Sequence, residues 1–244
     1  MPDKKRINLR LLLVGTLALA GIGFLIYPWV SNQVYDLGVN SQKKNYINRV
    51  HTVQAGTHDA LDDLYYYLQS ENERIYNTGQ ASLVDAFSYQ QSNVDLAQYG
   101  IENNCIGFIE IPSINCEMPI YLGANTENLK LGAVHLTQTS YPIGGENTNA
   151  VIAAHRSITV NMLKDIDSIS VGDLVIVTNF REQLHYRVVG CEVIQPNQTN
   201  KIMIQPGKDM ITIFSCHPYG STAQRYVVYC ERIDADTTYP LPEK

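Results

Sequence analysis

Residues 210–232 (MITIFSCHPYGSTAQRYVVYCER) set up a thiol for chemistry. A β-branched run delivers Cys216 to the end of a strand, which Pro218 and Gly220 then stop, so the thiol sits at an element edge rather than in a core. Arg225 opens the next β-rich run. Two neighbouring strand ends can therefore place thiol and guanidinium side by side, where the cation favours a thiolate and can hold a developing oxyanion. A thiol nucleophile also needs a proton carrier for its leaving group. Besides His217, the candidates are His51, His58, His135, His155 and His185. His155 stands out because it ends the apolar run 150–154 (AVIAA), the same kind of position that Cys216 occupies. His51 and His58 fall in polar helical sequence and His185 in an alternating strand, whereas pattern alone does not set His135 aside. Residue types support a Cys216, His155 and Arg225 site; they also fit a buried structural cysteine beside a surface arginine.

The elements that must position these groups are short and β-rich: residues 105–111, 150–154, 174–178, 184–194, 210–214 and 226–230. Gly, Pro, Asn and Asp separate most of them, as at Pro112-Ser113, Gly144-Gly145, Gly172-Asp173 and Pro206-Gly207. Only residues 161–168 (NMLKDIDS) read as a helical turn within this region. Many strands with few helices predict a mainly β fold, a sandwich or a closed barrel. Upstream, Tyr46, Val50, Val53, Leu61, Leu64, Tyr65 and Leu68 recur at helical steps, with a break at Gly56-Thr57. Residues 41–77 are thus one or two helices forming a stalk. The stretch 77–104 has no clear period and is long enough to serve as a lid.

Residues 11–30 (LLLVGTLALAGIGFLIYPWV) carry no charge. As a helix they rise roughly 30 Å, the thickness of a bilayer's hydrocarbon core. Tyr27 and Trp29 close the run, and Lys4, Lys5, Arg6 and Arg10 precede it, which keeps the N-terminal side in the cytoplasm. Cleavage of a signal peptide at Ala18-Leu19-Ala20 would strand the rest of the apolar run, so a retained anchor with an exported catalytic region is expected. The expected division is a cytoplasmic tail (1–10), a transmembrane anchor (11–30), a helical stalk with a candidate lid (31–104) and a barrel (105–244).

A hydrophobic content of 45% with 17% charged residues describes a globular chain, and a net charge of −6 argues against nucleic-acid binding. Five cysteines in an exported chain leave at least one unpaired within the molecule. No Cys or His spacing matches a metal site, so neither metal nor cofactor is expected.

Residues 211–225 (ITIFSCHPYGSTAQR) resemble the sortase signature T-L-x-T-C followed by Arg, and residues 150–158 (AVIAAHRSI) resemble the sortase strand ending in His-Arg. Further matches follow in order: residues 106–112 (IGFIEIP), Pro119-Ile120-Tyr121, Gly132-Ala133-Val134-His135-Leu136, Pro142-Ile143-Gly144-Gly145 and Lys208-Asp209. The resemblance implies an eight-stranded sortase barrel with Cys216 as nucleophile, His155 as general acid/base and Arg225 as stabilising cation. It implies cleavage of an LPxTG-like sorting signal on a surface protein, a thioacyl enzyme, and transfer to an amine.

Within the family, Cys-His-Pro-Tyr-Gly and the step to Arg225 are similar to class C, the pilin-polymerising sortases, whose acceptor is a pilin lysine. Tyr27-Pro28 followed by Ser31-Asn32 resembles the membrane-proximal segment of that class. Val84-Asp85-Ala86-Phe87-Ser88 resembles the class C lid, which implies Asp85 facing Arg225 and Phe87 covering Cys216. Three features depart from the pattern: Ala86 replaces the lid proline, Ser215 and His217 flank the cysteine, and no second apolar span follows the barrel. A housekeeping or accessory sortase using a cell-wall precursor is the alternative. A non-sortase cysteine protease and a non-catalytic surface barrel are further alternatives.

Overall fold

The computed structural model describes residues 9–56, 58–81, 83, 91, 94–157 and 160–233. Eight strands form a closed barrel: β1 (Cys105–Ile111), β2 (Cys116–Leu122), β3 (Ala133–His135), β4 (Thr148–Ala153), β5 (Leu174–Asn179), β6 (Gln183–Ile194), β7 (Asp209–His217) and β8 (Gln224–Arg232). Their order around the barrel is β1-β2-β3-β4-β7-β8-β6-β5, and β5 closes back onto β1. Closure requires a close approach at Gly107, where an added Cβ would lie 2.2 Å from the backbone oxygen of Thr178. Two strands lie outside the six β-rich runs. β2 contains Pro119, a residue that argues against a central strand, and β3 has only three residues. Pro119 pairs with Phe108 but lies beyond the short contact with β3, so the barrel tolerates it. The predicted helical turn shortens to a 3₁₀ turn at Ile166–Ser168.

Two helices precede the barrel, α1 (Leu9–Gly56) and α2 (His58–Asn77), and a short α3 (Thr126–Leu131) links β2 to β3. The N-terminal half of α1 exposes its apolar side chains, with Phe24 and Leu25 each 82% exposed, and is long and apolar enough to cross a membrane. Pro28 lies within it, a position that transmembrane helices tolerate. The same helix continues onto the barrel without interruption. There Val39, Tyr46 and Val50 are buried, joined by Leu61, Leu64 and Leu68 of α2. Each such burial contributes about 1.5–3 kcal/mol. Tyr46 Oη donates to the Ile106 carbonyl (2.8 Å), and its ring meets Phe108 edge-on at 5.5 Å. Lys43 pairs with Glu117, and Arg49 pairs with Glu102 at 2.9 Å.

The barrel interior is one large apolar core; a second, smaller cluster lies on the opposite face of β4, β7 and β8. At the start of β7, Asp209 accepts from the Gly145 N–H (2.9 Å) and Tyr186 Oη (3.1 Å), which fixes the turn entering β4.

His135 is structural. It is fully buried, its Nε2–H donates to the Ser140 carbonyl (2.9 Å), and its ring lies 5.0 Å from that of Tyr141. Burial lowers its pKa from 6.5 to about 4. The unfolded chain takes up this proton near pH 6.5 and the folded chain only near 4, so stability is intact above 6.5 and falls as pH drops towards 4. At about 1.4 kcal/mol per unit, the loss reaches roughly 3 kcal/mol. Thermal melts between pH 7.5 and 4.5 should show this fall, and His135→Asn should start lower but lose much of the slope.

Candidate active site

The site is built by strand alternation. Ala153, Phe214 and Val227 belong to the same small apolar cluster, on one face of three adjacent strands. Side chains two residues apart share a face. Moving two residues along β4 and β7, and two back along β8, reaches His155, Cys216 and Arg225. Cys216 and Arg225 are direct partners in the antiparallel β7–β8 ladder, so their Cβ atoms are about 5 Å apart. The parallel β4–β7 ladder pairs Ala153 with Phe214 and continues past the strand end. The Ala154 N–H donates to the Phe214 carbonyl (3.3 Å), and Ser215 Oγ donates to the Ala154 carbonyl (2.7 Å). That register sets His155 level with Cys216.

Exposure suits reaction at a surface. Cys216 and Arg225 are half-buried and His155 is exposed. Arg225 Nη1 donates to the carbonyls of Thr222 (2.8 Å) and Gln224 (3.0 Å), which orients the guanidinium. The floor beside it comprises Leu83, Ala153, Phe214 and Val227, together with Ile202 and with Ile194, the β6 partner of Arg225. Ser215, between two site-face residues, points to the other side and is 1% exposed.

All five cysteines are free thiols. Burial pushes Cys105 and Cys116 up to about 12, and raises Cys230 and Cys191 as well. Those four are held protonated. His217 takes the face opposite Cys216; it pairs with Gln224, and its ring lies 5.8 Å from Tyr226.

Sequence pattern did not single out the carboxylate that partners the cation beside His155. The Arg156 side chain is only 8% exposed, its Nη2 lies 2.5 Å from Asp167 Oδ1, and its Nε–H donates to the Lys164 carbonyl (2.8 Å). Its guanidinium also stands 5.9 Å from the ring of Tyr219, in the turn after Cys216. The hydrogen bond and charge of Arg156 hold the Asp167 carboxyl below its usual range. This pair braces the loop carrying His155 against the turn following the thiol. His155-Arg156 stood out as a dipeptide, but its partner lies across a loop with no periodicity to reveal it.

Asp85 and Phe87 lie outside the described residues. Their near neighbour Leu83 is 7% exposed within the floor cluster, so the chain reaches this face just before them. Among the described residues, no group of His, Cys, Asp and Glu side chains could hold a metal ion.

The profile of the Sortase domain family matches residues 109–233. Sortase D of Bacillus subtilis is 27% identical over 130 residues, 52% of this chain and 63% of its own length, so the chain spans under two thirds of that relative. Among solved structures, sortase C from Clostridium perfringens is similar with a TM-score of 0.65 and 31% identity, over 80% of this chain and 99% of its own. A pilus-related sortase C of group B Streptococcus gives a TM-score of 0.68 at 25% identity, over 82% of this chain and 100% of its own. The matched family span contains His155, Cys216 and Arg225 together with the ladders that align them, and the chain belongs to the sortase family of cysteine transpeptidases.

Proposed function

We propose that this chain is a membrane-anchored sortase that cuts an LPxTG-like sorting signal and passes the acyl group to a pilin lysine. The observation that carries the reading is the direct pairing of Cys216 with Arg225, level with His155, beside an apolar floor. Cys216 thiolate attacks the threonine carbonyl, and the Arg225 guanidinium stabilises the oxyanion that develops. His155 gives a proton to the departing amine as the peptide bond breaks, leaving a thioester on Cys216. The acceptor amine then loses a proton to His155, attacks the thioester carbonyl and expels the thiolate.

Asp85 and Phe87 act as a lid in this reading, the aspartate towards Arg225 and the ring over Cys216. The burial of Leu83 on the same face supports it. The basic residues before the apolar span support an N-terminus inside and a catalytic domain outside. Likeness to a pilus-related sortase C favours a pilin substrate and acceptor. Transfer to a cell-wall precursor is the second reading, and the two differ only in the amine used.

Intact mass of the exported domain mixed with LPxTG-type peptide should show a peptide-sized adduct that Cys216→Ala abolishes. His155→Ala and Arg225→Ala should slow its formation by about a hundredfold or more. No adduct across a panel of such peptides, with the lid opened, would sink the reading. Lysine-bearing against glycine amines then separates pilin assembly from wall anchoring.

Three residues outside the triad are also testable. Asp167→Asn releases the brace behind His155, and is expected to lower kcat roughly tenfold or more with KM little changed. Asp85→Ala with Phe87→Ala should speed alkylation of Cys216; equal rates would remove the lid.

A further inference from the structure

The direction of the strands relative to α1 is fixed by contacts along the helix. Near residue 36, α1 meets the β1–β2 turn and the loop after His155: Asn161 Nδ2 donates to Asp36 Oδ1 (3.3 Å) and to the Asn115 carbonyl (2.6 Å). Further along the helix, Gln42 reaches Tyr121 (2.8 Å) and Tyr46 reaches Ile106 (2.8 Å). Later still, Arg49 Nε donates to the Gly100 carbonyl (3.2 Å). β1 therefore runs antiparallel to α1, towards the membrane, and β2 runs away from it. β3 is parallel to β2, β4 antiparallel to β3, and β7 parallel to β4. Hence β4 and β7 both run towards the membrane end, and His155 and Cys216 lie on that rim.

The distance from rim to bilayer follows from the same helix. Trp29 closes the apolar run and Asp36 is the first residue held by the loop after His155. At 1.5 Å per residue, the intervening helix rises about 10 Å. Pro28 is the proline within α1, so this connecting part is free of proline and is held at its upper end by Lys43, Tyr46 and Arg49.

We propose that α1 is a rigid standoff that turns the catalytic rim towards the lipid surface and holds it about 10 Å away. The proposal rests on the membrane-anchored sortase reading. It adds that the enzyme works in a narrow gap against the bilayer, on substrates whose scissile bond lies at that height above their own membrane span. Rigidity matters because a flexible tether of equal length would let the site sample many heights and orientations.

Position can be measured without activity. In full-length protein carrying Cys216→Ala and Cys191→Ala, a fluorophore is placed at Tyr219→Cys on the rim or at Glu146→Cys near the start of β4. Both native side chains are exposed. Energy transfer to headgroup-labelled lipid in vesicles should place the rim label nearer the bilayer by about 20 Å, the tilted length of β7. Seven helix-forming residues inserted after Gln33 should raise both labels by about 10 Å with little rotation. Equal distances, a reversed order, or no movement on insertion would overturn the standoff whether or not the protein is a sortase.

Turnover provides the second arm. The insertion should leave cleavage of a soluble LPxTG-type peptide within twofold, yet slow a vesicle-anchored substrate at least tenfold. Seven residues added between the substrate's motif and its own span should restore the rate. An anchored-substrate rate unaffected by the insertion would also overturn the standoff. Failure of the native enzyme on every peptide would count against the sortase reading alone, since the label positions stand independently.

Discussion

β7 is held in register between β4 and β8, and the alignment of Cys216 with His155 and Arg225 depends on that constraint. Each ladder aligns one partner with Cys216: β8 brings Arg225 directly opposite, and β4 brings His155 level with it. Because side chains alternate, a slip of one residue in either ladder would send a partner to the wrong face. The ends of these ladders are where fraying would be expected, and the structure reinforces them there. Ser215 Oγ donates across to the Ala154 carbonyl, and Arg225 is tied to the carbonyls of its own turn. At the other end, Asp209 gathers the Gly145 N–H and the Tyr186 hydroxyl, pinning the start of β7 beside that of β4.

The thiols of the same sheet differ in burial. Four thiols lie where burial favours the protonated form, whereas Cys216 stands at a strand end next to a guanidinium. Two cations near the site have different tasks. Arg225 lies on the site face. Arg156, nearly buried, is neutralised by Asp167 and braces two loops. A guanidinium with so little exposure would be costly without such a carboxylate. Placing each loop around that pair limits how far His155 can drift from the thiol.

α1 couples this geometry to the membrane. One side of its upper half is barrel core, so the helix cannot pivot without exposing Val39, Tyr46 and Val50. The barrel and the apolar span are therefore mechanically continuous rather than joined by a hinge. In the proposed standoff, a sorting signal held at the same bilayer meets the rim within a restricted gap.

Much of this was legible in the chain. Cys216 before Pro218, His155 at the end of an apolar run and Arg225 at the start of another marked strand ends, because local chemistry terminates strands. The uncharged run and its aromatic end marked a helix long and apolar enough to cross a membrane, since hydrocarbon imposes a length. Ordered motifs brought the family into view, and the family match sets aside the non-sortase readings. Residues 84–90, with Asp85 and Phe87, lie outside the described residues, so the lid is still a reading of the sequence. What sequence could not supply was pairing. β2 hid behind Pro119, β3 was too short to show a period, and nothing local linked Arg156 to Asp167. Local composition determined where strands and helices stop and which side chains stand at their ends. Which ends meet, on which face and facing which way, was decided only when closure of the barrel brought distant segments into register.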